Sequence, residues 1–170
     1  MLESNNIILI GPMGAGKTTI GKQLAKKLSK QFYDSDYEIE QHTGADIPLI
    51  FELEGEEGFR KRETQVLSEL VSLKNIVLST GGGAVMEPDN RKMLADNGII
   101  IYLKSTAEKL FSRTTGDKRR PLLQTDDRLS KIKKILEERE HVYISLANEI
   151  IDTQELSIKQ ITQRIIELIK

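Results

Sequence analysis

At 170 residues, 38% of them hydrophobic and 30% charged, the chain has the size and composition of one globular domain with a real core. A formal net charge of −1, without a basic tail or a block of like charge, argues against nucleic acid or an anionic membrane as a partner. The absence of cysteine excludes disulfides and thiolate zinc sites and fits a reducing, cytoplasmic setting.

The chain opens with a polar stretch, Met1 to Asn6, so neither a signal peptide nor a membrane span is expected. Ile7-Ile8-Leu9-Ile10 reads as a short buried strand. Gly11 to Thr18 then matches the pattern G-x-x-x-x-G-K-S/T at every fixed position. Lys17 to Lys30 reads as a helix with Ile20, Leu24 and Leu28 on one face. A strand that runs through glycines into a helix start leaves backbone N–H groups pointing at one spot, where the helix dipole adds positive potential. Gly14, Ala15 and Gly16 can wrap an anion there, with Thr18 and Thr19 following in the first helical turn. Lys17 supplies a mobile charge for the outer phosphates, and the Thr18 hydroxyl can face Mg²⁺. The expected ligand is a nucleoside triphosphate.

Phe32-Tyr33-Asp34 follows as a brief strand ending in acid. Asp36 to Gln41 reads as a short helix stopped near Gly44, with Asp36 also a plausible N-cap. Ile47 to Leu53 and Glu56 to Leu73 read as two further helices, Pro48 being tolerated in a first turn. Ile76 to Ser79 is a strand that runs into Gly81-Gly82-Gly83. Asp89 to Asn97, opened by Pro88 and closed by Gly98, is a helix, and Ile99 to Leu103 a strand. Thr106 to Arg113 is helical, residues 114–124 carry a charge cluster without periodicity, and Asp127 to Leu146 is a long helix. Glu149 to Asp152 and Ser157 to Lys170 complete the alternation as strand and helix. Short apolar strands separated by helices predict an α/β fold, a parallel sheet covered on both faces. A single domain over 1–170 is expected, with a lid at about 114–124 and an acceptor-binding helical segment at about 36–62.

The strand before the triple glycine ends without an acid, so the carboxylates for the site are expected from Asp34-Ser35-Asp36. Residues i and i+2 point the same way in extended chain, and parallel strand ends open on one crevice. One carboxylate can sit by Mg²⁺ and the other can face a hydroxyl of the acceptor. Gly81, Gly82 and Gly83 let a second ligand come close. Arg60 has Glu63 three residues on, near enough on a helix to hold its guanidinium. Arg119 and Arg120 would bring cations over the phosphates from the lid, and Arg139 lies on the apolar side of its helix, where a charge is either paired or facing a ligand.

Together these residues resemble the shikimate kinase family. The resemblance rests on Gly11 to Gly21, Asp34-Ser35-Asp36, Gly44 with Ile50 and Phe51, Gly55 to Arg60 with Glu63, Ser79 to Gly83, Arg120 to Leu123, and Arg139 with Tyr143. It implies a three-layer sandwich around a five-stranded parallel sheet of order 2-3-1-4-5. It also implies ATP- and Mg²⁺-dependent phosphorylation of the shikimate 3-hydroxyl, on the way to chorismate and aromatic amino acids. By the same resemblance Thr18 is the metal ligand and Asp34 acts through the metal's water shell. Asp36, Arg60, Gly82 and Arg139 hold shikimate, Arg120 contacts ATP phosphates, and Arg113 lies along the adenine with residues 152–155 closing that pocket. A monomer is expected. One position departs from the family: His141 stands where a proline is usual, two residues after Arg139, and is expected to shift Arg139 slightly. A gluconate kinase would also want arginines for its acceptor, but that reading leaves the paired acids and triple glycine without a role. A nucleoside monophosphate kinase would call for a larger basic cluster. A nucleotide-binding module without catalysis would be expected to have lost Lys17, an acid or Arg120.

Overall fold

A computed structural model describes residues 6–116, 120–123 and 126–170. Its five strands, β1 (Ile7–Ile10), β2 (Gln31–Asp34), β3 (Ile76–Ser79), β4 (Ile99–Lys104) and β5 (Glu149–Asp152), form one parallel sheet of order β2-β3-β1-β4-β5. The order implied by the resemblance is therefore borne out. The helices among the described residues are α1 (Lys17–Leu28), α2 (Ser35–Thr43), α3 (Ile47–Val71), α4 (Pro88–Asn97), α5 (Ala107–Arg113), α6 (Arg128–Leu146) and α7 (Ile158–Leu168).

Strand β1 explains the layering. Its side chains alternate between the sheet's two faces, as period-two geometry requires. Ile7 and Leu9 pack with Leu24 of α1, Leu110 of α5 and Ile161 and Ile165 of α7. Ile8 and Ile10 pack on the other face with Leu67 of α3, Leu94 of α4 and Tyr143 of α6. A strand buried on both faces reads as an unbroken apolar run, which is what Ile7 to Ile10 displays.

One local expectation needs correction. Asp36 is not the N-cap of α2: Asp34 is, its Oδ1 accepting from the N–H groups of Asp36 (3.0 Å) and Tyr37 (3.3 Å). The cap falls two residues earlier because Asp34 is still extended and its carboxylate reaches forward over the helix start. The two helices expected over 47–73 are present, joined as α3 across a kink at Gly55, whose φ of 72° and ψ of −179° break the helical geometry between them.

Register places the site. Asp34 pairs with Ser79, so the acid at the end of β2 lies beside the start of the glycine run after β3. Helix α6 continues unbroken through His141, which is exposed, and Arg139 remains buried. Of the stretch 114–124, Arg119 and residues 117, 118 and 124 lie outside the described residues, while Pro121–Leu123 form one turn of 3₁₀ helix with Leu123 in the core.

Candidate active site

Gly14 and Gly16 adopt φ of 80° and 97°, values open to glycine but costly for other residues, and so turn the loop into α1. Lys17 is buried, and its ammonium donates to the carbonyls of Gly11 (2.7 Å) and Pro12 (2.9 Å). Burial, and next the nearby Arg120, pull its pKa down to about 7, against the opposing pull of Asp36 and Asp34. The Thr18 hydroxyl donates to Asp34 Oδ2 at 2.7 Å. A hydroxyl and a carboxylate facing each other at the mouth of a phosphate loop are the hard oxygen donors that suit Mg²⁺, which takes most of its ligands from water and phosphate. No group of three or more His, Cys, Asp or Glu placed to hold a metal ion is present among the described residues. Arg113, on α5, donates to Gly14 O at 3.1 Å and so flanks the loop on the side away from Asp34.

The acceptor candidates converge on the opposite side. Arg60 donates to the buried Glu63 at 2.9 Å and to Glu56 at 3.3 Å, and its guanidinium carbon stands 5.1 Å above the Phe59 ring. The expected hold of Glu63 on Arg60 is therefore present. A β-carbon on Gly83 would collide with that guanidinium, and one on Gly81 would lie 2.8 Å from both Asp36 Oδ1 and Glu63 Oε2. Glycine is what allows two carboxylates and an arginine to close around this run. Asp36 Oδ1 and Glu63 Oε2 are buried and accept no hydrogen bond among the described residues. Burial first, then Asp34, raises the Asp36 carboxyl to about 6. Burial raises Glu63 to about 7 although Arg60 opposes it.

Two cavities follow from this arrangement. One, of about 570 Å³, runs along the phosphate loop past Lys17, Thr18, Thr19 and Asp34. The other, of about 70 Å³, is bordered by Phe59, Arg60, Glu63, Gly83 and Arg139. Asp36, Gly81, Gly82 and Arg120 border both. Of the site residues expected from the sequence, Ala15 and Arg113 border neither cavity.

Four residues of the motifs contribute in ways that the sequence does not reveal. The Ser35 hydroxyl accepts from Gly81 N–H at 3.0 Å, tying the glycine run to the start of α2. The Tyr143 hydroxyl donates to Gly82 O, and Met13 and Phe51 complete the small cavity. Nothing local marks them, because the partners are 46 and 61 residues apart.

A family model described as shikimate kinase matches residues 13–170. The chain belongs to the shikimate kinase family. It is 51% identical over 170 residues to the shikimate kinase of Tolumonas auensis, covering 99% of both chains. It is 52% identical over 169 residues to that of Pseudoalteromonas atlantica, again covering 99% of each. Among solved structures, shikimate kinase from Acinetobacter baumannii in complex with shikimate superposes with a TM-score of 0.96 at 48% identity, covering 99% of this chain and 94% of that one. Shikimate kinase from Aquifex aeolicus gives 0.84 at 35% identity, over 96% and 95%. The family is thus shown by sequence and fold over nearly the whole length, matching the resemblance in the motifs.

Proposed function

We propose that the chain transfers the γ-phosphoryl group of ATP to the 3-hydroxyl of shikimate, releasing shikimate 3-phosphate and ADP. The observation that carries this reading is the wall shared by the two cavities, where Asp36 and Arg120 stand between the phosphate loop and the Arg60–Arg139 chamber. A phosphoryl group crossing that wall needs alignment and charge neutralisation more than covalent help.

Gly14 to Thr19 cradle the triphosphate through backbone N–H groups, and Lys17 exchanges its carbonyl partners for phosphate oxygens. Thr18, with Asp34 through water, would hold Mg²⁺, which would supply charge neutralisation for the phosphates. Arg120 adds its charge from the lid side, and Arg113 lines the nucleoside. On the acceptor side, Arg60 and Arg139 meet the shikimate carboxylate, which guanidinium binds as a planar fork. Gly81, Gly82 and Gly83 let the ring come close. Asp36 orients the attacking hydroxyl and takes its proton as the bond to phosphorus forms. Residues of about 36–62 form the acceptor-binding segment, and those of about 114–124 close as a lid, all within one domain acting as a cytoplasmic monomer. No helix among the described residues is long and apolar enough to cross a membrane.

ADP release coupled to an indicator, with Mg²⁺-ATP and in turn shikimate, gluconate or a nucleoside monophosphate, tests the reading. Shikimate-dependent release is expected. Equal release with gluconate, or release with no acceptor, would overturn the assignment of substrate.

A further inference from the structure

Tyr143 is fully buried on α6, and its ring stacks on Tyr102 with centroids 5.0 Å apart. The stack fixes the ring, and a phenylalanine would fill the same space. The hydroxyl therefore has to be explained separately. It donates to Gly82 O, and the Arg139 guanidinium, one helical turn earlier, stands close to Gly82 on the same side. Three glycines in succession leave the Gly82–Gly83 peptide free to rotate, and a donor fixed in the core removes that freedom. The N–H groups of Gly82 and Gly83 donate to no acceptor among the described residues, and both glycines border the small cavity with Arg139. One phenol thus fastens a peptide unit that packs beside a cation, and both border the same cavity.

We propose that Tyr143 is a positioning residue for acceptor recognition, holding the Gly82 peptide beside Arg139 in the one arrangement that receives the acceptor's carboxylate. The inference rests on the reading above that this cavity takes a carboxylate. Tyr143 borders neither cavity and acts through Gly82 and the neighbouring Arg139. Burial pushes its hydroxyl up to about 12, so it stays protonated as a donor across the working range.

The experiment compares kcat/KM for shikimate and for its methyl ester, which lacks the charge, in the unaltered chain and in Tyr143→Phe, with the ATP KM and thermal midpoint measured alongside. The variant should lose about tenfold on the acid and little on the ester, as expected for one misplaced charge-assisted contact, so the acid-over-ester preference falls. The ATP KM should stay within about twofold. An unchanged preference, or acid, ester and ATP parameters falling together with the midpoint, overturns the proposal in favour of simple packing. In the unaltered chain, the Gly82 or Gly83 amide should gain exchange protection from shikimate and not from the ester; equal protection also overturns it, even if the variant folds poorly. An unaltered chain that releases no shikimate-dependent ADP overturns the proposed reaction instead, and one that uses acid and ester equally overturns the carboxylate reading alone.

Discussion

The phosphate side and the acceptor side of the site lie across one wall, yet they are built from different material. On the phosphate side the groups come largely from the single stretch Gly11 to Thr19, joined by Asp34, Arg113 and Arg120, and Lys17 itself is satisfied by carbonyls of that stretch. On the acceptor side they are side chains from separate elements: Asp36 from α2, Arg60 and Glu63 from α3, and Arg139 and Tyr143 from α6, gathered around the glycines after β3. The loop of the first side folds as one local unit, so its chemistry survives changes elsewhere. The second exists only when the sheet brings four chain segments together, and each side chain depends on another for its pose. Acceptor choice is therefore the more fragile property, and phosphate binding the more robust one.

The largest expected effect tests the wall itself. Asp36→Asn should bind Mg²⁺-ATP normally and lose about 10²–10⁴-fold in turnover, the usual scale of general-base help. Asp34→Asn should instead show a defect relieved by raising Mg²⁺, because its carboxylate faces Thr18. Turnover, Mg²⁺ titration and separate nucleotide affinities decide it. Identical Mg²⁺-relieved defects would move Asp36 to the phosphate side.

Arg60→Lys sharpens the contrast at the next scale. The charge stays but the fork over Glu63 and Glu56 goes, so shikimate should bind about ten- to a hundredfold more weakly with ATP affinity nearly intact. Titration showing equal losses for both ligands would make Arg60 a structural residue shared by the two sides.

A smaller effect concerns pH. The Glu63 carboxyl is raised from 4.5 to about 7, so between those values the folded chain keeps a proton that the unfolded chain releases. Stability from this group is thus lost as pH rises through that window, with the full penalty above about 7. Glu63→Gln removes the titration while leaving an oxygen for Arg60. Its thermal midpoint should fall less steeply than that of the unaltered chain from pH 4.5 to 7. Parallel curves would show that Glu63 does not carry the proton.

The smallest expected change is in motion rather than affinity. Amide exchange over residues 114–124 should slow when nucleotide and shikimate are both bound. Unchanged exchange there would remove the lid from the mechanism.

The same division explains what could be read in advance. Gly14, Gly16, Lys17 and Thr18 are specified by spacing within eight residues, since a loop between strand and helix needs no distant partner. The apolar runs Ile7 to Ile10 and Ile99 to Leu103 likewise declared themselves as buried strands, and Arg60 with Glu63 as a helical pair. Asp34 and Asp36 were legible as acids at the right strand end, but not which of them caps α2. The backbone at Asp34 decided that by remaining extended.

The sequence by itself therefore determined the alternation of strands and helices, the phosphate loop, and the residue types from which the acceptor chamber is drawn. These follow from local periodicity, glycine spacing and short-range pairing, all properties of neighbouring residues. The assembled fold alone lets Ser35 take the Gly81 N–H, brings Asp36 and Glu63 to one glycine, and sets the Tyr143 hydroxyl on Gly82 beside Arg139. Those contacts depend on strand order and on how α3 and α6 lie across the sheet, which no window of the sequence contains.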